Sequence, residues 1–154
     1  MRFTALAAVF VALAGCGREP VAGLGTPDRV TLYSLDGRDY HPGVVPEGGE
    51  VFHRVKVLGK VELTDPTQRQ GLLNAFRRGA VHNDGAMMKC FWPRHGIRVV
   101  EGDRVTDFVI CFQCQQFETH DGDSGRRNVK VIAAGAQPEF DATLTAAGVP
   151  LAPK

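Results

Sequence analysis

Residues 95–112 read HGIRVVEGDRVTDFVICF, a pattern typical of a β-hairpin. Two runs rich in β-branched and aromatic residues flank a short polar turn. Gly102 occupies the first central position of that turn, where a type II′ geometry requires a positive φ. Glu101 then faces Arg104 as a favourable cross-strand pair. We therefore predict two antiparallel strands joined by Gly102 and Asp103.

Three further segments are predicted as strands on either side of this hairpin. Val30–Leu35 is apolar and is stopped by Asp36 and Gly37. Val55–Leu63 alternates apolar and charged residues with a period of two, which indicates a strand with one wet face. Val129–Ala133 follows a polar loop. The order of these elements predicts an antiparallel meander sheet.

Two helices complete the predicted fold. Asp65 is suited to be the N-cap of a long helix, and Pro66 suits its first position. Gly79 is its expected end. A short second helix is predicted from Pro138 to Ala147. We therefore expect an α+β fold in which one long and one short helix pack on one face of the sheet.

The first residues of the chain have the features of an export signal. Arg2 is followed by an apolar run that is too short to span a bilayer. The run closes with Leu13-Ala14-Gly15-Cys16, which resembles the bacterial lipobox. That resemblance implies that residues 1–15 are removed and that Cys16 carries acyl chains such as palmitate. It also implies that the mature protein is membrane-anchored in the bacterial cell envelope. Gly17, which is not acidic, favours the outer membrane, with the domain in the periplasm or exterior.

Composition and charge set the expected domain organisation. Residues 16–28 contain several Gly and Pro residues and are predicted as a lipidated tether. Residues 29–154 are then long enough for a single globular domain. The 18 basic and 17 acidic residues nearly balance, and no basic stripe is present, which argues against nucleic acid as a partner. The membrane is the one partner that the sequence predicts. The sequence identifies no protein or small-molecule partner.

The candidate functional residues lie on the hairpin and just before it. If Cys16 is lipidated, three cysteines remain, and an odd number cannot be fully paired within one chain. Counting outward from the turn makes Cys90 and Cys114 neighbours and places His95 beside Cys111. In an unbroken strand, however, Cys111 and Cys114 would point to opposite faces. They can converge only if the strand ends or bulges near Phe112.

Four interpretations of this cluster remain open. The first is a structural disulfide that joins Cys90 to Cys114 or to Cys111. The second is a Cys₃His zinc site, in which His95 is the fourth ligand. The third is a thiol-redox site at Cys111-Phe112-Gln113-Cys114, with Arg94 and His95 stabilising a thiolate. In the fourth, the cysteines are small buried apolar side chains.

The hairpin segments 90–96 and 110–114 also resemble a stretch found in small, uncharacterised bacterial envelope lipoproteins. The resemblance extends from Leu58 to Pro150 and implies no activity. We expect a binding or structural module rather than an enzyme. A thiol-redox or metal-dependent envelope enzyme is the alternative.

Overall fold

The computed structural model describes residues 24–38, 40–41, 43–81, 88–122 and 127–153. The predicted signal peptide, the lipidation of Cys16 and the first part of the tether lie outside these ranges. The described chain contains the following elements in order: β1 (Arg29–Asp36), β2 (Val51–Phe52), β3 (Val55–Leu63), α1 (Pro66–Val81), β4 (His95–Glu101), β5 (Arg104–Cys111), β6 (Gln116–Asp121), β7 (Arg127–Val131) and α2 (Gln137–Ala146).

The strands form one curled antiparallel sheet in the order β2-β3-β1-β4-β5-β6-β7. The antiparallel α+β architecture predicted from the sequence is therefore confirmed. Strands β4 to β7 are neighbours in chain order, as in a meander. Strand β1, in contrast, lies between β3 and β4 instead of at the edge of the sheet. Strand β1 is buried along most of its length, which suits an inner position in the sheet.

The β4–β5 hairpin has the register that its turn predicts. Glu101 pairs with Arg104, and the same register continues to His95 and Ile110. Gly102 has a φ of 56°. Asp103 has no positive φ, and a two-residue turn with a positive φ at its first central residue alone fits type II′.

Helix α1 begins where the sequence predicts and ends later. Asp65 caps it by accepting a hydrogen bond from the N–H of Gln68 at 2.9 Å. The prediction that Gly79 ends the helix is wrong, because the helix continues to Val81. A Cβ at Gly79 would lie 3.0 Å from Cγ1 of Ile132, so glycine permits a close contact there. Within the described ranges, we find no helix that combines the length and the apolar character of a membrane span.

Two clusters of buried apolar side chains hold the sheet together. The larger contains residues of both helices and of several strands, and its ring contacts include Phe76 with Phe108 at 4.8 Å between centroids. The smaller consists of Tyr33, Leu35, Phe52, Val55 and Val109. Consecutive residues of β5, Phe108 and Val109, enter different clusters. Both faces of β5 are therefore buried, and this fixes the strand that ends at Cys111.

Candidate thiol–disulfide site

Strand β5 ends at Cys111, and the chain turns back within the next four residues. Gln115 has a φ of 55° and donates its N–H to the carbonyl of Phe112 at 3.1 Å. Cys114 donates its N–H to Sγ of Cys111 at 3.1 Å. The turn removes the strand alternation that would have separated the two cysteines. Cys111 and Cys114 form a disulfide, with their Cα atoms 5.2 Å apart.

The segment that carries Cys90 is held against this turn by hydrogen bonds. The N–H of Met88 donates to the carbonyl of Cys114 at 3.1 Å. The side-chain amide of Gln116 donates to the carbonyl of Met88 at 3.0 Å and also to that of Cys90. These contacts place Sγ of Cys90 3.1 Å from Sγ of Cys114.

The three sulfur atoms therefore form one cluster, but the disulfide does not join the pair of cysteines that the sequence predicted. The sequence interpretation joined Cys90 to Cys114 or to Cys111, whereas the structure joins Cys111 to Cys114 and leaves Cys90 as a free thiol. The reason is the tight turn, which brings the two nearest cysteines together. Cys111 and Cys114 are 1% and 0% exposed, while Cys90 is partly exposed.

His95 lies on the other face of the sheet from Cys111. It pairs directly with Ile110, and strand alternation puts Cys111 on the opposite side. The ring of His95 packs against Phe112 at 5.3 Å between centroids. Its Nε2 donates to Oδ1 of Asp141 at 2.8 Å, and this hydrogen bond is the main cause of the lowered pKa of Asp141. The structure thus brings the three cysteines together and not the expected fourth ligand.

Arg94 is placed near other charges. Arg94 lines a small cavity with Trp92 and Asp36, and its charge also acts to lower the pKa of Asp141. Among the described residues, no group of three or more His, Cys, Asp or Glu side chains is arranged to hold a metal ion. What the arrangement offers chemically is a free thiol next to a disulfide.

A polar cluster that the sequence did not predict lies on β4, β5, β6 and the β2–β3 turn. It contains His53, Arg98, Asp107, Glu118, His120 and Arg127. The rings of His53 and His120 stack with centroids 3.9 Å apart. Nε2 of His53 lies 2.7 Å from Oδ2 of Asp107. Arg98 donates to both oxygens of the same carboxylate, from Nε to Oδ1 and from Nη2 to Oδ2. His53 and Asp107 are 54 residues apart, so no local spacing could have signalled the contact.

The buried carboxylates of this cluster are balanced by cations. Burial acts to raise the pKa of Asp107, but hydrogen bonds from Arg98 and His53 outweigh it and hold that pKa below its usual value. Glu118 is 4% exposed, and its Oε1 lies 3.3 Å from Nε of Arg127.

Comparison of this chain with protein families, with curated proteins and with solved structures finds no match.

Proposed function

We propose that this protein is a lipid-anchored protein of the bacterial cell envelope whose cysteine cluster, Cys90, Cys111 and Cys114, carries out thiol–disulfide exchange. The observation that carries the proposal is the 3.1 Å separation between Sγ of Cys90 and Sγ of Cys114. Exchange proceeds by attack of a thiolate on a disulfide sulfur. This geometry favours the thiol-redox alternative over a purely structural or binding module.

The internal step moves the disulfide towards solvent. The Cys90 thiolate attacks Sγ of Cys114, so the Cys90–Cys114 bond forms as the Cys111–Cys114 bond breaks. Cys111 leaves as a thiolate and takes up the proton that Cys90 released. The disulfide now includes Cys90, the one cysteine of the three that is partly exposed, so a partner can reach it.

The external steps use a partner that carries two thiols. One partner thiolate attacks Sγ of Cys90, forms a mixed disulfide and releases Cys114 as a thiolate. The second partner thiolate attacks the partner's own sulfur in that mixed disulfide and releases Cys90. Two partner thiols become a disulfide, and Cys111 and Cys114 become thiols. The reverse sequence reduces a partner disulfide.

Loop length argues against a purely stabilising bridge. In the chain-entropy model, a disulfide stabilises more as it closes a longer loop. A bond across a separation of 3 residues contributes about 2 kcal/mol, and one across 24 residues contributes about 3.5 kcal/mol. The protein therefore has the weaker of the two bridges and keeps the third thiol beside it.

The test compares Cys90→Ser with Cys16→Ser in the full-length protein. Reduction of the Cys111–Cys114 disulfide by dithiothreitol is followed by alkylation and mass spectrometry. We expect Cys90→Ser to slow reduction at least about tenfold, because the buried sulfur atoms then lack their exposed relay. Cys16→Ser should react like the wild type. Equal rates in the two variants would overturn the proposal, as would stoichiometric zinc bound by three free thiols.

The anchor at Cys16 is tested by fractionation. The lipobox resemblance supports removal of residues 1–15 and acylation of Cys16, and an acylated protein partitions with membranes. Cys16→Ser should move the protein to the soluble fraction and abolish labelling by palmitate. Separation of inner from outer membranes checks the expected outer-membrane location. Continued membrane retention of Cys16→Ser would refute the anchor.

Packing of both helices on one sheet face is also part of this proposal. Phe76 of α1 and Phe140 of α2 belong to the same apolar cluster, and their ring centroids are 6.4 Å apart. Phe76 also contacts Phe117 of β6 at 5.0 Å. Phe140 contacts the ring of His95 in β4 at 5.6 Å. Nuclear Overhauser effects from Phe76 to Phe117 and from Phe140 to His95 would support the packing, and the absence of either would contradict it.

A further inference from the structure

The turn between β2 and β3 has side chains that its backbone disfavours. His53 and Arg54 have φ values of 48° and 69°, so two successive residues adopt the left-handed conformation. Two-residue hairpin turns with this backbone prefer Asn-Gly or Asp-Gly. Histidine is enriched in this region compared with most residues, but arginine is not. Side chains kept in a disfavoured conformation point to a functional role for this turn.

The same two residues line a polar cavity of about 180 Å³. The other lining residues are Tyr40, Glu118, His120 and Arg127. At about 30 Å³ per water molecule in the liquid, the cavity holds a group of the size of a phosphate or a small dicarboxylate. Glu118 is the one acidic residue among the described residues of this lining, which also contains two arginines, two histidines and a tyrosine.

The charges of this cluster leave an excess of positive groups facing the cavity. Arg98 makes two hydrogen bonds to Asp107, and Arg127 lies 3.3 Å from Glu118. Both buried carboxylates are therefore already matched by a guanidinium. Among the described residues, Arg54 has no carboxylate within ion-pair distance. An anion in the cavity would supply the missing negative charge.

His120 lines the same cavity and already lies beside a carboxylate. Its Nε2 atom is buried and lies 3.3 Å from Oε2 of Glu118, within ion-pair distance. Among the described residues that line the cavity, Arg54 is therefore the basic side chain with no carboxylate near it.

We propose that the cavity formed by His53, Arg54, His120 and Arg127 binds a small oxyanion. Arg54 and Arg127 provide guanidinium groups that match carboxylate or phosphate oxygens. His120 and Tyr40 also line the cavity. The site is separate from the cysteine cluster and does not depend on thiol exchange.

The test uses the full-length protein with inorganic phosphate in one arm and malonate in the other. Binding is followed by the imidazole signals of His53 and His120 in NMR, against chloride at equal ionic strength. Arg54→Asn is the decisive variant, since asparagine tolerates the left-handed backbone but lacks the charge. We expect saturable shifts in the wild type for at least one anion and about tenfold weaker binding in Arg54→Asn.

Two further variants separate anion binding from structure. Arg54→Lys keeps the charge in the same backbone conformation and should bind more tightly than Arg54→Asn. Arg78→Gln removes an exposed helix arginine that pairs with Glu139, and it should bind like the wild type. Arg54→Asn should also unfold at the same temperature as the wild type or higher. The proposal is overturned if neither anion gives saturation, or if Arg54→Asn binds as tightly as the wild type.

Discussion

Replacing Asp141 by Asn tests how helix α2 is held to the sheet. Oδ1 of Asp141 accepts a hydrogen bond from Nε2 of His95 at 2.8 Å, and Oδ2 accepts one from Gln137 at 3.2 Å. The side chain of His95 is 4% exposed, and that of Asp141 is 32% exposed. Asparagine has nearly the same shape and can still accept from His95 through its one amide oxygen. The substitution therefore removes the charge and also the acceptor of the Gln137 hydrogen bond.

The size of the effect follows from the change of the His95 hydrogen bond from a charged acceptor to a neutral one. A hydrogen bond to a charged group contributes about 1.5–3 kcal/mol, and a neutral one contributes about 0.5–1.5 kcal/mol. Partial exposure of Asp141 screens its charge and favours the lower end of the difference. We expect Asp141→Asn to lower the free energy of unfolding by about 1 kcal/mol at neutral pH.

The effect should depend on pH with a definite sign. The hydrogen bond from His95 is the main cause that holds the pKa of Asp141 below its usual value, and partial burial opposes it. Because the folded-state pKa is the lower one, the stabilisation is fully present above the unfolded pKa of about 3.9. It is lost as the pH falls through the folded-state value. Urea unfolding followed by circular dichroism should show the wild type and Asp141→Asn converging in acid.

The control for Asp141 is Glu139→Gln on the same helix. Glu139 pairs with Arg78 at 3.1 Å, but their side chains are 47% and 60% exposed. Such a surface pair contributes at most about 0.5 kcal/mol to the free energy of unfolding. The reasoning is refuted if Asp141→Asn loses the same amount of stability at acidic and neutral pH. It is also refuted if Glu139→Gln loses as much as Asp141→Asn.

Three further substitutions test the packing, each by urea denaturation. Gly96→Ala should destabilise the fold by about 1–3 kcal/mol, because its Cβ would lie 2.7 Å from Cε1 of Phe52. Gly71→Ala, at a position in helix α1 where a Cβ meets nothing within 4 Å, should instead stabilise it by about 0.5–1 kcal/mol. Phe76→Ala should lower the free energy of unfolding by about 3–5 kcal/mol, because Phe76 is fully buried among three other phenylalanine rings.

Elements specified by local chemistry were predicted from the sequence. The Gly102 turn fixes the hairpin register, and the Asp65 cap fixes the start of α1. The place of β1 between β3 and β4 depends on pairing between distant segments, which a single sequence does not display. Gly79 was misassigned for a similar reason, since its role is a contact with Ile132 far along the chain.

The candidate site was predicted only in part. Counting from the turn predicted Cys90 beside Cys114, because the count needs only the hairpin register. It also set His95 beside Cys111, but direct pairing with Ile110 puts His95 on the other sheet face. The stacking of His53 on His120 follows from the curl of the sheet, which brings the β2–β3 turn over β6.

The two proposed sites share one face of β5 and β6, and this affects how their tests are interpreted. On β6 that face bears Gln116, Glu118 and His120, which pair with alternate residues of β5. The opposite face bears Phe108 and Phe117, which are 2% and 0% exposed and belong to the larger apolar cluster. Most of the apolar burial thus lies away from the polar groups.

Substitutions at the two sites should therefore leave the fold largely intact. Cys90 is partly exposed and Arg54 is exposed, and neither belongs to an apolar cluster. Cys90→Ser and Arg54→Asn are expected to unfold cooperatively at denaturant concentrations close to that of the wild type. A loss of disulfide exchange or of anion binding in these variants then reports the chemistry of the site and not a loss of structure. Phe76→Ala, by contrast, should reduce the stability of both sites together, because it weakens the strands that position them.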